Sequence, residues 1–462
     1  MSTRNCTRRD FLKALSFGAA VSAFPRCVSY SQRAQGKASN GRPNVVLIFT
    51  DDQGTIDVNC FGSKDLHTPN LDALAKRGIR FTQFYVGAPV CSPSRAALMT
   101  GRYPMRAEVP GNVSSQKGQP GMPAAQVTIA EMLKSASYVT AHVGKWHLGY
   151  TPDTMPNGQG FDYSFGHMGG CIDNYSHFFY WQGPNRHDLW RDDEEVWHDG
   201  QFFGDLMVDE CKNFIERQKD RAFFLYWALN MPHYPLQGQA KYRQMYAGSE
   251  EPRKSYAAFV STLDEKIGQV INKIDQLGLR NNTIIIFLSD HGHSVEERTN
   301  YGGGNAGPFR GHKFTLWEGG IRVPCIISWP GHFPEGQTRD QVAISTDWMP
   351  TIAHYCGAKL ADRRIDGKNL ASVIDSAEAS SSHDVLHWMQ GKQWAVRQDD
   401  WKLVVNGPAT EYKGRKIPAE KIFLSNLAED VTETKNLAAK FPDIVERLAQ
   451  LHDAWVKEVQ QQ

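Results

Sequence analysis

The sequence predicts an α/β fold in which a mostly parallel central sheet is flanked by helices and followed by a smaller antiparallel sheet plus helix, all within 462 residues. Three observations lead there. Two short apolar runs of one design, NVVLIFTDD from Asn44 and TIIIFLSDHG from Thr283, end in acidic residues and read as buried strands. Helix-length amphipathic segments lie between and around such runs, and that alternation implies a parallel sheet. Beyond Asp384 the pattern changes to two-residue alternation broken by turns.

The elements follow in chain order. Thr7-Arg8-Arg9-Asp10-Phe11-Leu12-Lys13 sets an arginine pair before an apolar run too short to span a bilayer, so residues 1–42 read as a twin-arginine export signal and flexible leader. Val21-Ser22-Ala23 offers small residues for cleavage, whereas Phe24-Pro25-Arg26 before Cys27 lacks those a lipoprotein site needs. The product is expected in the periplasm or outside the cell, without stable insertion in a membrane. A catalytic domain over 43–383 then holds the strand at Asn44 and helices over 68–78, 126–137, 204–219 and 255–277. Further strands are read in FFLYWALNMPHYP and IRVPCIISWPG. A C-terminal subdomain over 384–462 takes its strands from VLHWMQGKQWAVRQDDWKLVV and KIFLSNLAED, and closes with a helix near 442–460.

Composition excludes several functions. A hydrophobic share of 41% is globular, and 51 basic against 50 acidic residues leave no global field to draw in nucleic acid or an anionic membrane. Eight cysteines without CxxC spacing form neither a disulfide scaffold nor a zinc pattern. Charge-driven chemistry must be local.

Such chemistry gathers at strand ends, where open α/β sheets bind ligands. Asp51 and Asp52 end one strand and Asp290 ends another. Singly, each acid would serve as a helix cap or a surface ion partner; gathered, they repel unless a cation joins them. Their oxygens favour calcium, in preference to magnesium, over zinc, and His291 can complete the shell through nitrogen. Basic groups stand nearby in sequence motifs: Arg95 four residues after Cys91, Lys145 and His147 in GKWHLG, His233 in MPHYP and Lys313 in RGHKFTLWEGGIRVP. Cations beside a metal build a site for an anion.

The run Cys91-Ser92-Pro93-Ser94-Arg95, continued by Leu98, Thr100, Gly101 and Arg102, resembles the signature of the formylglycine-dependent type I sulfatases of the alkaline phosphatase superfamily. The resemblance extends from about Asn44 through GKWHLG and GGIRVP to NLAEDVTETKNLA. It implies an alkaline-phosphatase-like fold and a cysteine oxidised after translation to formylglycine (3-oxoalanine) by a formylglycine-generating enzyme. Asp51, Asp52, Asp290 and His291 would then be the metal ligands, with the modified Cys91 alongside. Many members carry asparagine where His291 stands, and Phe309 replaces the leucine common before Arg310-Gly311.

The implied reaction is attack on sulfur by a hydroxyl of the hydrated aldehyde, made more acidic by the cation. Arg95 and Lys145 would orient the diol and the sulfate oxygens. His233, helped by Lys313, would protonate the leaving alcohol, and His147 would act as base when sulfate is released. For the substrate, the aromatic crowd Tyr175, Phe178, Phe179, Tyr180, Trp181, Trp190 and Trp197 is either core or a rim for sugar rings. Its interleaved polar residues favour the rim, so Asp173, Tyr175, His177, Arg186, His187 and Arg191 are expected to bind a sulfated carbohydrate. The reading is thus an exported sulfatase acting in polysaccharide degradation. Its alternatives are a phosphonate or phosphate ester hydrolase of the same superfamily and a non-catalytic binder of sulfated glycans.

Overall fold

The computed structural model describes residues 41–461 apart from Gln182 and Lys413. The expected export signal therefore falls almost wholly outside the described residues.

Ten strands form the central sheet, in the order Gln337–Arg339, Ile79–Phe81, Cys325–Ser328, Thr283–Ser289, Asn44–Thr50, Phe223–Ala228, Val139–Lys145, Tyr163–His167, Trp190–Arg191 and Glu194–Glu195. The five from Thr283–Ser289 to Tyr163–His167 are mutually parallel, whereas Cys325–Ser328 runs antiparallel to both neighbours. Side-chain alternation explains why this sheet is apolar on both faces. Val45, Leu47 and Phe49 belong to the core on one face, and Val46 and Ile48 to the core on the other.

Helices cover both faces. Pro69–Lys76, Phe203–Gln218 and Arg253–Gln276 bury Leu71, Leu74, Met207, Phe214, Phe259, Leu263 and Ile267 against one. Their spacing of three and four residues is the helical stripe expected of such segments. Helices Cys91–Thr100, Ile129–Ser135 and Trp348–Cys356 cover the other. The helix expected over 126–137 is shorter because Thr128 and Glu131 form a reciprocal capping box that starts it at Ile129.

Near the carboxyl end, Val385–Gln390, Gln393–Gln398, Trp401–Gly407 and Glu420–Asn426 form an antiparallel four-stranded sheet. One face sends Leu386, Trp388, Ala395, Val404 and Phe423 into the main core. The other packs Val396, Leu403 and Leu424 with Leu448 of the helix Pro442–Gln460. Lys402 joins the two parts as a buried cation, 2.8 Å from Glu318 and 3.0 Å from Glu433. No helix among the described residues is long and apolar enough to cross a membrane.

Candidate active site

Adjacent parallel strands deliver the site from their carboxyl ends. Asn44–Thr50 and Thr283–Ser289 pair with Thr50 opposite Ser289, so Asp51 and Asp290 leave the sheet side by side. On the other flank Phe223–Ala228 leads to His233, and Val139–Lys145 ends in Lys145, with His147 two residues on. Gly144 in this last strand is required by space: a Cβ there would lie 2.0 Å from the Ala228 carbonyl oxygen, at a φ of +118°.

Cys91 is the first residue of its helix, and the turn that follows locks that helix onto the sheet. Ser94 Oγ donates to the Asp290 carbonyl oxygen at 2.5 Å. Arg95 Nη2 donates to Asp290 Oδ2 at 2.9 Å and lies 3.6 Å from Asp51 Oδ1, while its Nη1 donates to the Lys145 carbonyl oxygen at 3.1 Å. Arg95 is therefore a buried strut under the site. Asn112 Oδ1 accepts from the Ser92 N–H at 3.0 Å, tying a neighbouring loop to the same helix start.

Around the Cys91 sulfur, Lys145 Nζ and the His291 Nε2 each lie at 3.4 Å and Asp51 Oδ1 at 3.8 Å. Lys145 Nζ also pairs with Asp51 Oδ2 at 2.6 Å. Lys313 Nζ stands 3.0 Å from Asp52 Oδ1 and 3.2 Å from Glu296 Oε2. His233 Nε2 is 3.7 Å from Asp52 Oδ2, with its Nδ1 turned to the Tyr234 carbonyl oxygen at 2.8 Å. His291 likewise turns Nδ1 to the Gly292 carbonyl at 2.9 Å, which leaves Nε2 facing the cluster; burial opposes its charge, but Asp290, Cys91 and Asp52 raise the imidazole to about 9.

Electrostatics sort these groups. Burial opposes the charge on Asp51, but Lys145, His233 and Arg95 outweigh it and hold the carboxyl well below its usual range. Burial dominates at Asp52 and Asp290 and raises both, with Asp51 adding repulsion. Burial also opposes a Cys91 thiolate, yet Lys145 and Lys313 bring the thiol down to about 6. Burial first, then Lys145 and Arg95, hold His147 well below the imidazole range and so keep it neutral. Burial and Lys313 do the same at His233, against the pull of Asp51.

This arrangement fits a divalent cation. Ligating atoms of Asp51, Cys91, Asp290 and His291 lie within 4.8 Å of one another, and Asp51, Asp52 and His233 make a second such group. Two buried carboxylates remain only partly neutralised by the protein's own cations, and their oxygens with one imidazole nitrogen suit a hard ion.

Over the cluster opens a cavity of about 710 Å³, lined by Cys91, His147, His233, Lys313 and a rim that includes Phe179, Trp181, Tyr234 and Phe314. Trp181 stacks on Tyr234 with centroids 5.6 Å apart, and the Arg298 guanidinium lies 3.5 Å over the Trp181 ring. None of Asp173, Tyr175, His177, Arg186, His187 and Arg191 lines this cavity. Asp173 accepts from the Tyr175 and Ser176 N–H groups, and Arg191 pairs with Glu210. Arg186 contacts two lining residues, with its guanidinium 4.1 Å over Phe179 and a hydrogen bond donated to the Ser115 carbonyl oxygen. Conversely, Glu296, Ser115 and Asn112 line the cavity without any signal in the sequence, since each is a lone polar residue in a loop.

The Sulfatase family model matches residues 43–358. Human arylsulfatase A is 33% identical over 463 aligned positions, covering 90% of this chain and 88% of its own. Mouse N-acetylgalactosamine-6-sulfatase is 36% identical, covering 72% of this chain and 66% of its own. Among solved structures, Ps i-CgsB in complex with k-i-k-neocarrahexaose superposes with a TM-score of 0.80 at 30% identity, over 90% of this chain and 92% of that one. The family match runs through every residue gathered at the strand ends, from Asp51 to Lys313, and the similarity continues over nine-tenths of the chain: it belongs to the sulfatase family of the alkaline phosphatase superfamily and is a sulfuric ester hydrolase.

Proposed function

We propose that this chain is an exported sulfatase that removes sulfate from a sulfated glycan. Residue 91 is matured to formylglycine by a formylglycine-generating enzyme, and calcium is held by Asp51, Asp52, Asp290 and His291. The observation that carries this reading is the placement of Cys91: first in a helix, 3.4 Å from both Lys145 Nζ and His291 Nε2, on the floor of the cavity. An oxygen nucleophile at that place would face both a cation site and anion-binding groups. The Cys91 sulfur therefore stands in for that oxygen.

Held by Asp51, Asp52, Asp290 and His291, calcium would supply a Lewis acid at the foot of the cavity and offset the carboxylates. The protein's own groups do the rest. Lys145 and Lys313, both held charged by carboxylates despite burial, bind the sulfate oxygens from two sides. His233 has its Nδ1 fixed by the Tyr234 carbonyl, so Nε2 is the atom turned to the cavity. A sulfate ester brings negative charge, which favours the imidazolium, and its Nε2 proton then passes to the departing alcohol oxygen. His147, neutral and with Nδ1 unpartnered, is the base that takes a proton at residue 91 when sulfate is released.

A glycan is favoured by the size of the cavity and by Phe179, Trp181 and Tyr234 at its rim, since flat apolar faces suit pyranose rings. Two of the similar proteins act on or hold sugars by name, the N-acetylgalactosamine-6-sulfatase and the neocarrahexaose complex. Export by the twin-arginine route rests on Arg8-Arg9 and the apolar run after it. The division into a catalytic body over 43–383 and a subdomain over 384–462 is part of the same proposal.

A desulfation screen on defined sulfated oligosaccharides, run beside aryl sulfate, aryl phosphate and aryl phosphonate esters, tests the reading. Release of sulfate from at least one oligosaccharide, with kcat/KM on aryl sulfate above that on the phosphorus esters, is expected. Faster turnover of phosphate or phosphonate esters overturns it in favour of the phosphorus hydrolase. No turnover by protein with confirmed aldehyde overturns it in favour of a binder.

A further inference from the structure

Two histidines expected to touch substrate, His177 and His187, do not line the cavity, and their rings lie edge to face with centroids 6.3 Å apart. His177 is fully buried, and the side chain of His187 is 2% exposed. Each has one ring nitrogen engaged: His177 Nε2 meets the Gln201 carbonyl oxygen at 3.1 Å, and His187 Nδ1 meets Glu195 Oε1 at 3.0 Å. The opposite nitrogens, His177 Nδ1 and His187 Nε2, have no hydrogen-bond partner although they are buried. A buried polar atom without a partner is costly, and two on neighbouring rings call for a ligand. The Asp199 carboxylate supplies a third donor, and ligating atoms from His177, His187 and Asp199 all lie within 4.8 Å of one another.

We propose that His177, His187 and Asp199 form a second metal site, separate from the carboxylate cluster and specific for a zinc-class transition ion. Two imidazole nitrogens and one carboxylate oxygen are a common zinc donor set, with water in the fourth position. The engaged nitrogens have the outer partners that metal-bound histidines have: a backbone carbonyl for one and a carboxylate for the other, which fix ring orientation and tautomer. Burial keeps His177 neutral, the state that binds metal. Asp199 is exposed, so the ion enters from solvent on that side. His198 is the other ring whose charge bears on His177, and it lies against Phe165.

The site has a structural consequence. His187 pairs across a two-stranded hairpin with Phe178, and Phe179 on the same hairpin lines the substrate cavity. Asp199 lies in a separate loop beyond Trp197, whose ring stacks on His187 at 3.7 Å. A metal at this place ties that loop to the hairpin and steadies one wall of the cavity.

The test uses Cys91→Ala protein in calcium-containing buffer, so that neither thiol nor empty carboxylate cluster competes for zinc, and follows zinc binding by calorimetry with melting temperature as a second readout. One equivalent of zinc, accompanied by a rise in melting temperature, is expected. Glu195→Gln, which removes the carboxylate behind His187, should weaken binding by roughly 10–100-fold, and Asp199→Ala by at least as much. Both changes lie at exposed or part-exposed residues, and calcium-stabilised melting in their absence of zinc reports that they fold. No zinc bound by the parent protein, or equal affinity in all three proteins, overturns the proposal. Because the readout is binding, the result is independent of which ester the enzyme cleaves.

Discussion

Replacing His233 by alanine removes the proposed proton donor while leaving the lysines that bind sulfate in place. The side chain gives up one hydrogen bond, to the Tyr234 carbonyl at 2.8 Å, which is worth about 1 kcal/mol net, so the fold survives. Lys313 keeps its contacts to Asp52 and Glu296, and Lys145 keeps its pair with Asp51, so sulfate binding persists. What is lost is Nε2, the atom that carries the transferable proton once a sulfate ester is bound. Removing a general acid costs roughly 10²–10⁴-fold, or about 2.7–5.4 kcal/mol of transition-state stabilisation. That cost applies only when the leaving oxygen needs a proton. A sugar alkoxide does; a nitrophenolate does not. The assay compares kcat/KM on a sulfated sugar and on nitrophenyl sulfate for the native and His233→Ala enzymes. A loss of a hundredfold or more on the sugar, with only a small loss on the aryl ester, is expected. Equal losses on both would refute the assignment of His233 as the acid.

Other outcomes follow from the same geometry. His147→Ala should give a burst of alcohol followed by arrest, with sulfate retained as added mass on the peptide 81–95, because the base for release is missing; steady turnover without a retained group contradicts it. Exhaustive chelation should lower both activity and melting temperature, since Asp51, Asp52 and Asp290 then face one another with less counter-charge. Calcium at a hundredfold above its dissociation constant should restore about 2.7 kcal/mol, and an unchanged melting temperature on chelation would count against the cation site. Lys402→Met leaves Glu318 and Glu433 buried without their shared cation and should destabilise the protein by about 3–5 kcal/mol in denaturant unfolding, whereas a loss under about 1 kcal/mol would show that the triad holds nothing.

Much of this architecture could be read from residue patterns because one physical rule served twice. A buried parallel strand is an unbroken apolar run, and its polar end is where the sheet stops being covered, so NVVLIFTDD and TIIIFLSDHG announced both strand and site. The long helix was legible for a related reason: Arg253–Gln276 buries a stripe at helical spacing, within two residues of the expected 255–277. Short edge strands such as Trp190–Arg191 and Glu194–Glu195 carry too few residues for any period to be seen. The substrate rim was the least legible part. Of the aromatic stretch, Phe179 and Trp181 line the cavity, but which side of a two-residue hairpin strand faces it is decided by register. Phe179 lines the cavity, whereas His187, paired with its neighbour Phe178, does not. Glu296 was missed because its role depends on Lys313, seventeen positions later and adjacent only after folding.

The central claim is that residue 91 reacts as an aldehyde and not as the thiol encoded in the gene. It is tested most directly by measuring, in enzyme preparations matured to different extents, the fraction of peptide 81–95 in which sulfur is replaced by oxygen with loss of two hydrogens, alongside kcat on a sulfate ester. The account predicts that kcat per molecule rises in proportion to that fraction and extrapolates to zero for the intact thiol. Full activity in a preparation whose residue 91 is entirely unmodified cysteine would contradict it.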